Sequence, residues 1–310
     1  MSEMAPFSST LRSLLPELES ALLSFTASTS SKFRIARTVN PTSTKPKTLY
    51  ILDSSFNPPS KAHLSLITSA IRAAKAEDKP FRVLLLFSTH NADKAPSPAS
   101  FQQRIALMTA LGEDLSKAWN KTNSNAAGKE ETPISIDVGL TTEPYYTDKS
   151  MAIAESEPPF YESSPKHIHL VGYDTLIRFC NPKYYPNHSP PLSALTPFFD
   201  AGHGLRVTAR PYDESDESSK EYGTIEEQRE YVMALRRGDR ESEGFKSEWG
   251  RNVELVEDVE GVGISSTRVR KAAKSQEWEI VSQLCTESVS AWVRDQALYS
   301  EDVEGNKMMG

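Results

Sequence analysis

The sequence predicts an α/β protein with a doubly wound parallel sheet and helices on both faces. Short apolar, β-branched or aromatic runs alternate with stretches of helical period from residue 48 to residue 298, as in repeated strand–helix–strand units. Runs such as Val83-Leu84-Leu85-Leu86-Phe87 are apolar at every position, as a strand buried on both faces requires. A polar, proline-stiffened turn, Ser54-Ser55-Phe56-Asn57-Pro58-Pro59-Ser60, separates the first such run from the next helical stretch. It thereby lies at the carboxyl end of a strand, where open α/β sheets bind their ligands.

Taken in order, residues 1–47 place Leu11, Leu14, Leu15, Leu18, Leu22 and Leu23 at helical spacing ahead of a Ser/Thr/Pro-rich stretch. One amphipathic helix, suited to docking, is expected there, followed by a linker. Residues 48–52 read as the first strand, 62–76 as its partner helix and 83–87 as the second strand, a βαβ unit with a right-handed crossover. Residues 100–115 carry Phe101, Ile105, Leu107, Met108 and Leu111 as a helix, and 120–132 form a polar loop. Ile134, Ile136 and Val138 alternate as in a strand, followed by a polar, aromatic passage through Tyr145 and Tyr146 and a loop over 155–166. Residues 167–171 are a strand ending in Gly172-Tyr173-Asp174, 175–179 a helix, and 205–210 a further strand. Residues 213–250 are rich in charge and are taken as an insertion with one helix over 225–237 and a solvated face. Residues 253–256 form the last strand, a helix runs from Ser265 to Lys274, and 276–298 supply closing helices with Trp278, Val281, Leu284, Val289, Trp292 and Val293 in the core. The organisation expected is therefore an N-terminal segment over 1–47, one Rossmann-like domain over 48–298 and a tail over 299–310.

Composition narrows the function. A net charge of −7 and a pI near 5.5 argue against a broad nucleic-acid footprint, which needs clustered Lys and Arg, but leave room for a small anion held by a few local cations. Cys180 and Cys285, the two cysteines, match neither a zinc nor a redox spacing, so a reducing compartment is expected. No apolar run approaches the roughly 20 residues a bilayer-spanning helix needs. Glu17 and Glu19 in the leading helix count against a mitochondrial presequence, so a cytoplasmic or nuclear setting is expected. His167 and His169 alternate on one strand face without a carboxylate or Cys nearby in sequence, which reads as strand packing rather than a metal site. Gly202-His203-Gly204 lacks the rest of a dinucleotide fingerprint and reads as a turn.

Two stretches carry chemistry. In the first, a strand end followed by a helix start offers unpaired N–H groups and a positive dipole end to a phosphate. Two prolines fix φ before any ligand arrives, and His63, near the first helical turn, can donate to a phosphate oxygen. The same residues would also serve as a plain turn and cap. In the second, Ile264-Ser265-Ser266-Thr267-Arg268-Val269-Arg270, Ser265 can cap a helix, Ser266 and Thr267 offer hydroxyls, and Arg270 adds a planar cationic fork. An ordinary N-cap followed by a surface arginine would look the same.

Together these residues carry a resemblance. Ser54 to His63 resembles the G-S-F-N-P-x-T/H-x-x-H loop of the nucleotidyltransferase superfamily, and Ile264-Ser265-Ser266-Thr267 with Arg270 resembles its I-S-S-T-x-x-R motif, in the family's order. The chain is similar in particular to nicotinamide mononucleotide adenylyltransferases of divergent fungal type, over residues 48–298 without the insertion. The resemblance implies transfer of AMP from ATP to nicotinamide mononucleotide, with Mg²⁺ accompanying ATP. It implies that Ser55, Phe56, Asn57 and Ser60 of the first motif bind the nucleotide, as do Ile264, Ser265, Ser266 and Thr267 of the second. His63, Lys94 and Arg270 would act on the phosphates. Gly172 and Asp174, after the fourth predicted parallel strand, with Arg210 and Lys94, would hold the acceptor. The sequence departs from the family in two places. Ser54 stands where the family has glycine, and Thr141-Thr142-Glu143-Pro144-Tyr145-Tyr146 stands where a tryptophan stacks on nicotinamide. A transferase for another phosphorylated acceptor or for CTP, and an ATP-binding or ATP-hydrolysing protein that recruits partners, therefore stand beside the first expectation.

Overall fold

The computed structural model describes residues 4–89, 99–124, 133–210, 221–257 and 264–300. A seven-stranded sheet organises them, with spatial order β1-β4-β3-β2-β5-β6-β7. The strands are β1 (Phe33–Val39), β2 (Thr48–Asp53), β3 (Phe81–Ser88), β4 (Ile136–Thr141), β5 (Lys166–Gly172), β6 (Gly204–Thr208) and β7 (Val253–Val256). Six are parallel, and β1 closes one edge antiparallel to β4. The order reverses between β2 and β5, which lie side by side in parallel. This is a topological switch point, the place where open α/β sheets bind ligands beyond the strand carboxyl ends.

Burial explains the unbroken apolar runs. Tyr50 and Leu52 of β2 face one layer with Val83, Leu85 and Phe87 of β3, while Leu49 and Ile51 face the other with Leu84 and Leu86. The first layer is covered by α1 (Met4–Thr26), α2 (Lys61–Ala73), α3 (Phe101–Ser124), α8 (Ser266–Lys274), α9 (Trp278–Leu284) and α10 (Glu287–Asp295). The second carries α4 (Tyr146–Ala154), α5 (Tyr173–Phe179), α6 (Thr196–Asp200) and α7 (Ile225–Arg237). The doubly wound α/β expectation holds.

Several expected boundaries change. The supposed linker within 1–47 contains β1, which pairs with β4 through Phe33 and Val39, both buried. Leu11, Leu18 and Phe25 bury α1 in the main core, so this N-terminal segment is built into the domain. The outward arginines of β1 disguise it: Arg34 donates to Ser24 Oγ at 2.6 Å and Arg37 lies 3.7 Å from Glu17, and charge is how edge strands avoid further pairing. The passage after Tyr145 is the helix α4, whose Lys149 and Ser150 are buried. The charged 213–250 segment is no solvated insertion in its described part. Thr224 and Glu227 cap α7, Gly238 ends it at φ 90°, and Val232 and Leu235 turn into the core. Trp249 then stacks on Phe199 with ring centroids 5.1 Å apart. An outer face rich in charge conceals these few inward apolar positions. The tail expected from residue 299 is also wrong at its first residue, because Tyr299 is buried.

Candidate active site

At the end of β2 the backbone N–H of Ser54 still pairs with Leu86 O, 3.2 Å away. The chain then leaves the sheet. Ser54, where the resemblance expects glycine, has no positive φ; the left-handed residue is Phe56, at φ 44°. For a bulky side chain this conformation costs about 1–3 kcal/mol, and burying the ring contributes about 1.5–3 kcal/mol in return. Phe56 thus anchors the bend, with Ser55 half-buried before it and Asn57 buried after it.

His63 occupies the third position of α2 and turns back on the loop. Its Nδ1 accepts the Ser60 backbone N–H at 3.0 Å and lies 3.0 Å from Ser60 Oγ. The Nδ1 lone pair is therefore committed, which assigns the proton to Nε2. Nε2 faces Ser54 Oγ at 3.0 Å. Burial lowers the imidazole pKa to about 4, so His63 is a neutral N–H donor at physiological pH.

The second motif closes over the first. Ser265 caps α8, accepting the Arg268 N–H at 3.3 Å, and Ile264 packs against the core. Ser266 Oγ donates to Pro58 O at 2.8 Å, and Arg270 Nη1 donates to Asn57 O at 2.8 Å. Arg270 Nη2 reaches Thr267 Oγ1 at 3.1 Å. Arg270 and Ser266 thus grip the loop's own carbonyls, a task the sequence did not suggest. Cys285 Sγ lies 3.4 Å from Pro59 O, and burial raises its thiol to about 12, so it contributes a hydrogen bond and no nucleophile.

Two further residues complete this side. Arg104 of α3 is buried under Phe87 and Phe101, with its guanidinium carbon 5.3 and 5.4 Å from their ring centroids. Burial lowers its pKa, and the neighbouring Arg270 lowers it further. Tyr299 donates its hydroxyl to Asn57 Oδ1 at 2.8 Å. Lys94 lies outside the described residues.

The expected acceptor residues gather at the neighbouring strand ends. Gly172 caps α5, and a Cβ there would stand 2.7 Å from Asp174 Oδ1. Asp174 Oδ2 pairs with Arg178 at 2.7 Å. Arg210, beyond the end of β6, has its guanidinium carbon 5.2 Å from the Tyr222 ring centroid, and that ring feels the charges of Asp174 and Arg178 as well. Between this group and the β2 loop stand Tyr146 and the buried Asp53–Lys149 ion pair. Burial raises the Tyr146 phenol, and Asp53 and Asp174 both act on it, so Tyr146 lies within electrostatic reach of both groups. Tyr145 is 42% exposed, while Tyr146 is packed edge-on to His169 and Phe179. His167, His169 and His203 form a buried cluster in which His167 and His203 stack at 4.1 Å. Among the described residues no group of three His, Cys, Asp or Glu could hold a metal ion, and no helix is long and apolar enough to cross a membrane.

A doubly wound sheet with two helix N-termini meeting at one loop beside its switch point is an arrangement suited to a phosphate group. No family model matches the chain. It is 28% identical over 245 residues, 78% of its length and 82% of the relative's, to a Schizosaccharomyces pombe protein described as "Putative nicotinamide mononucleotide adenylyltransferase". Among solved structures, it is similar to Plasmodium falciparum nicotinic acid mononucleotide adenylyltransferase complexed with NaAD, at 12% identity and a TM-score of 0.43, covering 83% of this chain and 100% of that one. The same enzyme complexed with APC gives a TM-score of 0.40 at the same identity and coverage. Its paired motifs resemble those of nucleotidyltransferases, and the S. pombe protein is a sequence relative over most of its length.

Proposed function

We propose that this protein transfers AMP from ATP to nicotinamide mononucleotide, giving NAD and pyrophosphate. The observation that carries the reading is the meeting of the two motifs, in which Ser266 and Arg270 hold the carbonyls of Pro58 and Asn57. That contact brings the N-termini of α2 and α8 to one anion site. The acceptor follows from the similarity to the S. pombe protein.

In this reaction a phosphate oxygen of the mononucleotide attacks the α-phosphorus of ATP in line while the bond to the bridging α–β oxygen breaks, and pyrophosphate leaves with that electron pair. Positioning and stabilisation of the growing charge are sufficient, without a covalent enzyme intermediate. His63, neutral and with its proton on Nε2, donates to a non-bridging oxygen of the α-phosphate, which takes the place of Ser54 Oγ. Ser55, Phe56, Asn57 and Ser60 offer the nucleotide a preformed loop. Arg270, Lys94 and the Ser266 and Thr267 hydroxyls hold the triphosphate, with Ile264 and Ser265 setting the start of α8. Asp174, placed by Gly172, orients the acceptor, and Arg210 meets its phosphate. The donors around the loop are cationic or neutral and suit an anion. Mg²⁺ would accordingly accompany the triphosphate and supply charge neutralisation there. The setting proposed is cytoplasmic or nuclear, supported by two buried cysteines that are both free thiols.

A second reading is favoured by Tyr145, which stands where the resemblance expects a tryptophan: the acceptor would be another phosphorylated small molecule. Purified protein is incubated with Mg-ATP and a series of acceptors, following pyrophosphate and dinucleotide. NAD formation far above a His63→Ala control supports the first reading, and a different adenylylated product supports the second. ADP and phosphate released without an acceptor would overturn both in favour of hydrolysis.

A further inference from the structure

Tyr299 lies beyond every stretch in which the sequence suggested function. After α10 the chain doubles back, with Ala297 N–H on Arg294 O at 3.1 Å and Leu298 N–H on Val293 O at 2.9 Å. Ala297 and Tyr299 take left-handed conformations, at φ 46° and φ 68°. Residues with side chains seldom adopt these without a structure that enforces them. The result is to bury Tyr299 to 6% exposure and aim its hydroxyl at Asn57 Oδ1, 2.8 Å away.

The ring alone would satisfy packing, but the hydroxyl does something further. An amide can rotate end for end with little change of shape, and a hydrogen-bond partner anchored on one side holds the plane of the group in place. Tyr299 thereby fixes the carboxamide of Asn57, while Arg270 holds the carbonyl of the same residue at 2.8 Å. Arg104 and Arg270 both lie close enough for their charges to act on the phenol. Asn57 is thus held from side chain and backbone by residues 242 and 213 positions away.

We infer that Tyr299 is a positioning residue of the nucleotide site, holding the Asn57 carboxamide in the orientation that ATP meets. The inference rests on the nucleotide site proposed above and adds to it a residue that touches neither substrate. A double-mutant cycle on the full chain tests it, comparing the native protein, Tyr299→Phe, Asn57→Ala and the double variant. Mg-ATP affinity is read by calorimetry, KM for each substrate by steady-state kinetics, and folding by thermal melts. Tyr299→Phe keeps the ring and is expected to weaken ATP binding about tenfold, the scale of one buried hydrogen bond. The KM for the acceptor should stay within about twofold. In the Asn57→Ala background the same substitution should add less than about twofold, because residues acting through one contact are not additive. Asn57→Ser replaces Asn57→Ala if the alanine variant does not fold. Unchanged ATP affinity in Tyr299→Phe, or an equal loss in both backgrounds, overturns the inference. A native protein that binds Mg-ATP but transfers nothing to any acceptor removes the proposed reaction while leaving the binding cycle to decide Tyr299. A native protein that does not bind Mg-ATP removes both.

Discussion

Replacing Arg270 with alanine separates the two tasks its guanidinium performs. One is internal, since Nη1 holds Asn57 O at 2.8 Å and Nη2 holds Thr267 Oγ1 at 3.1 Å. The other is the proposed contact with the triphosphate. A hydrogen bond from a charged donor is worth about 1.5–3 kcal/mol, or about 10- to 150-fold in a dissociation constant. Arg270 is half-buried rather than sealed from water, so the lower part of that span applies, about 10- to 30-fold for ATP. Arg270→Lys should recover only part of the loss, because a point charge cannot bridge two acceptors as a planar fork does. Calorimetric titration with Mg-ATP at fixed ionic strength reads the affinity, and a melt on the same samples reads the cost to the fold. ATP affinity within about twofold of native, with an unaltered melt, would falsify the placement of Arg270 on the triphosphate.

Two further predictions test other parts of the molecule. Gly172→Ala puts a Cβ 2.7 Å from Asp174 Oδ1, so the carboxylate must turn away. The backbone there has an ordinary φ of −82°, and stability should hardly change. KM for the acceptor should rise about tenfold, the scale of a lost charged hydrogen bond, with ATP affinity unmoved; saturation curves for both substrates decide this, and an unchanged acceptor KM removes Asp174 from that subsite. The buried histidines make the second. Burial lowers His63 and His203 to about 4 and His167 to about 3, while His169 also falls well below the ordinary value of 6.5. Below pH 6.5 the unfolded chain takes up protons that the folded chain refuses, so the stabilisation these neutral rings provide is whole above pH 6.5 and declines towards pH 4. Each ring can contribute up to about 1.4 kcal/mol per pH unit. Denaturant melts between pH 7.5 and 5 should show the decline, and a flat profile contradicts it.

What the sequence disclosed and what it hid divide along the range of the interactions. The β2 turn was legible because Asn57-Pro58-Pro59-Ser60 states its own geometry and the apolar run before it needs no partner to be recognised. The start of α8 was legible for the same reason, Ser265 being a cap that acts within its own helix. The edge strand β1 was missed because its inward residues are separated by arginines and its partner lies about a hundred positions away. The buried Asp53–Lys149 pair joins residues 96 apart, and neither carries any local sign of the other. Arg104 carries no local sign of its burial beside Arg270, which depends on α3 and α8 sharing one layer. Tyr299 gave no signal of period or motif, since its value lies wholly in where the chain returns.

The loop after β2 and the residues that clamp it are made at very different times. Arg270 follows Asn57 by 213 positions, which at ribosomal speed is roughly 10 to 40 s of synthesis. For that interval the nascent chain carries a strand, a turn and a helix start, but no closed nucleotide site. A chain interrupted upstream of α8 lacks the Ser266 and Arg270 contacts that hold the loop, and under the proposed function it would not bind ATP. The separation makes clamping of the loop a late event that requires nearly the whole domain to have been made.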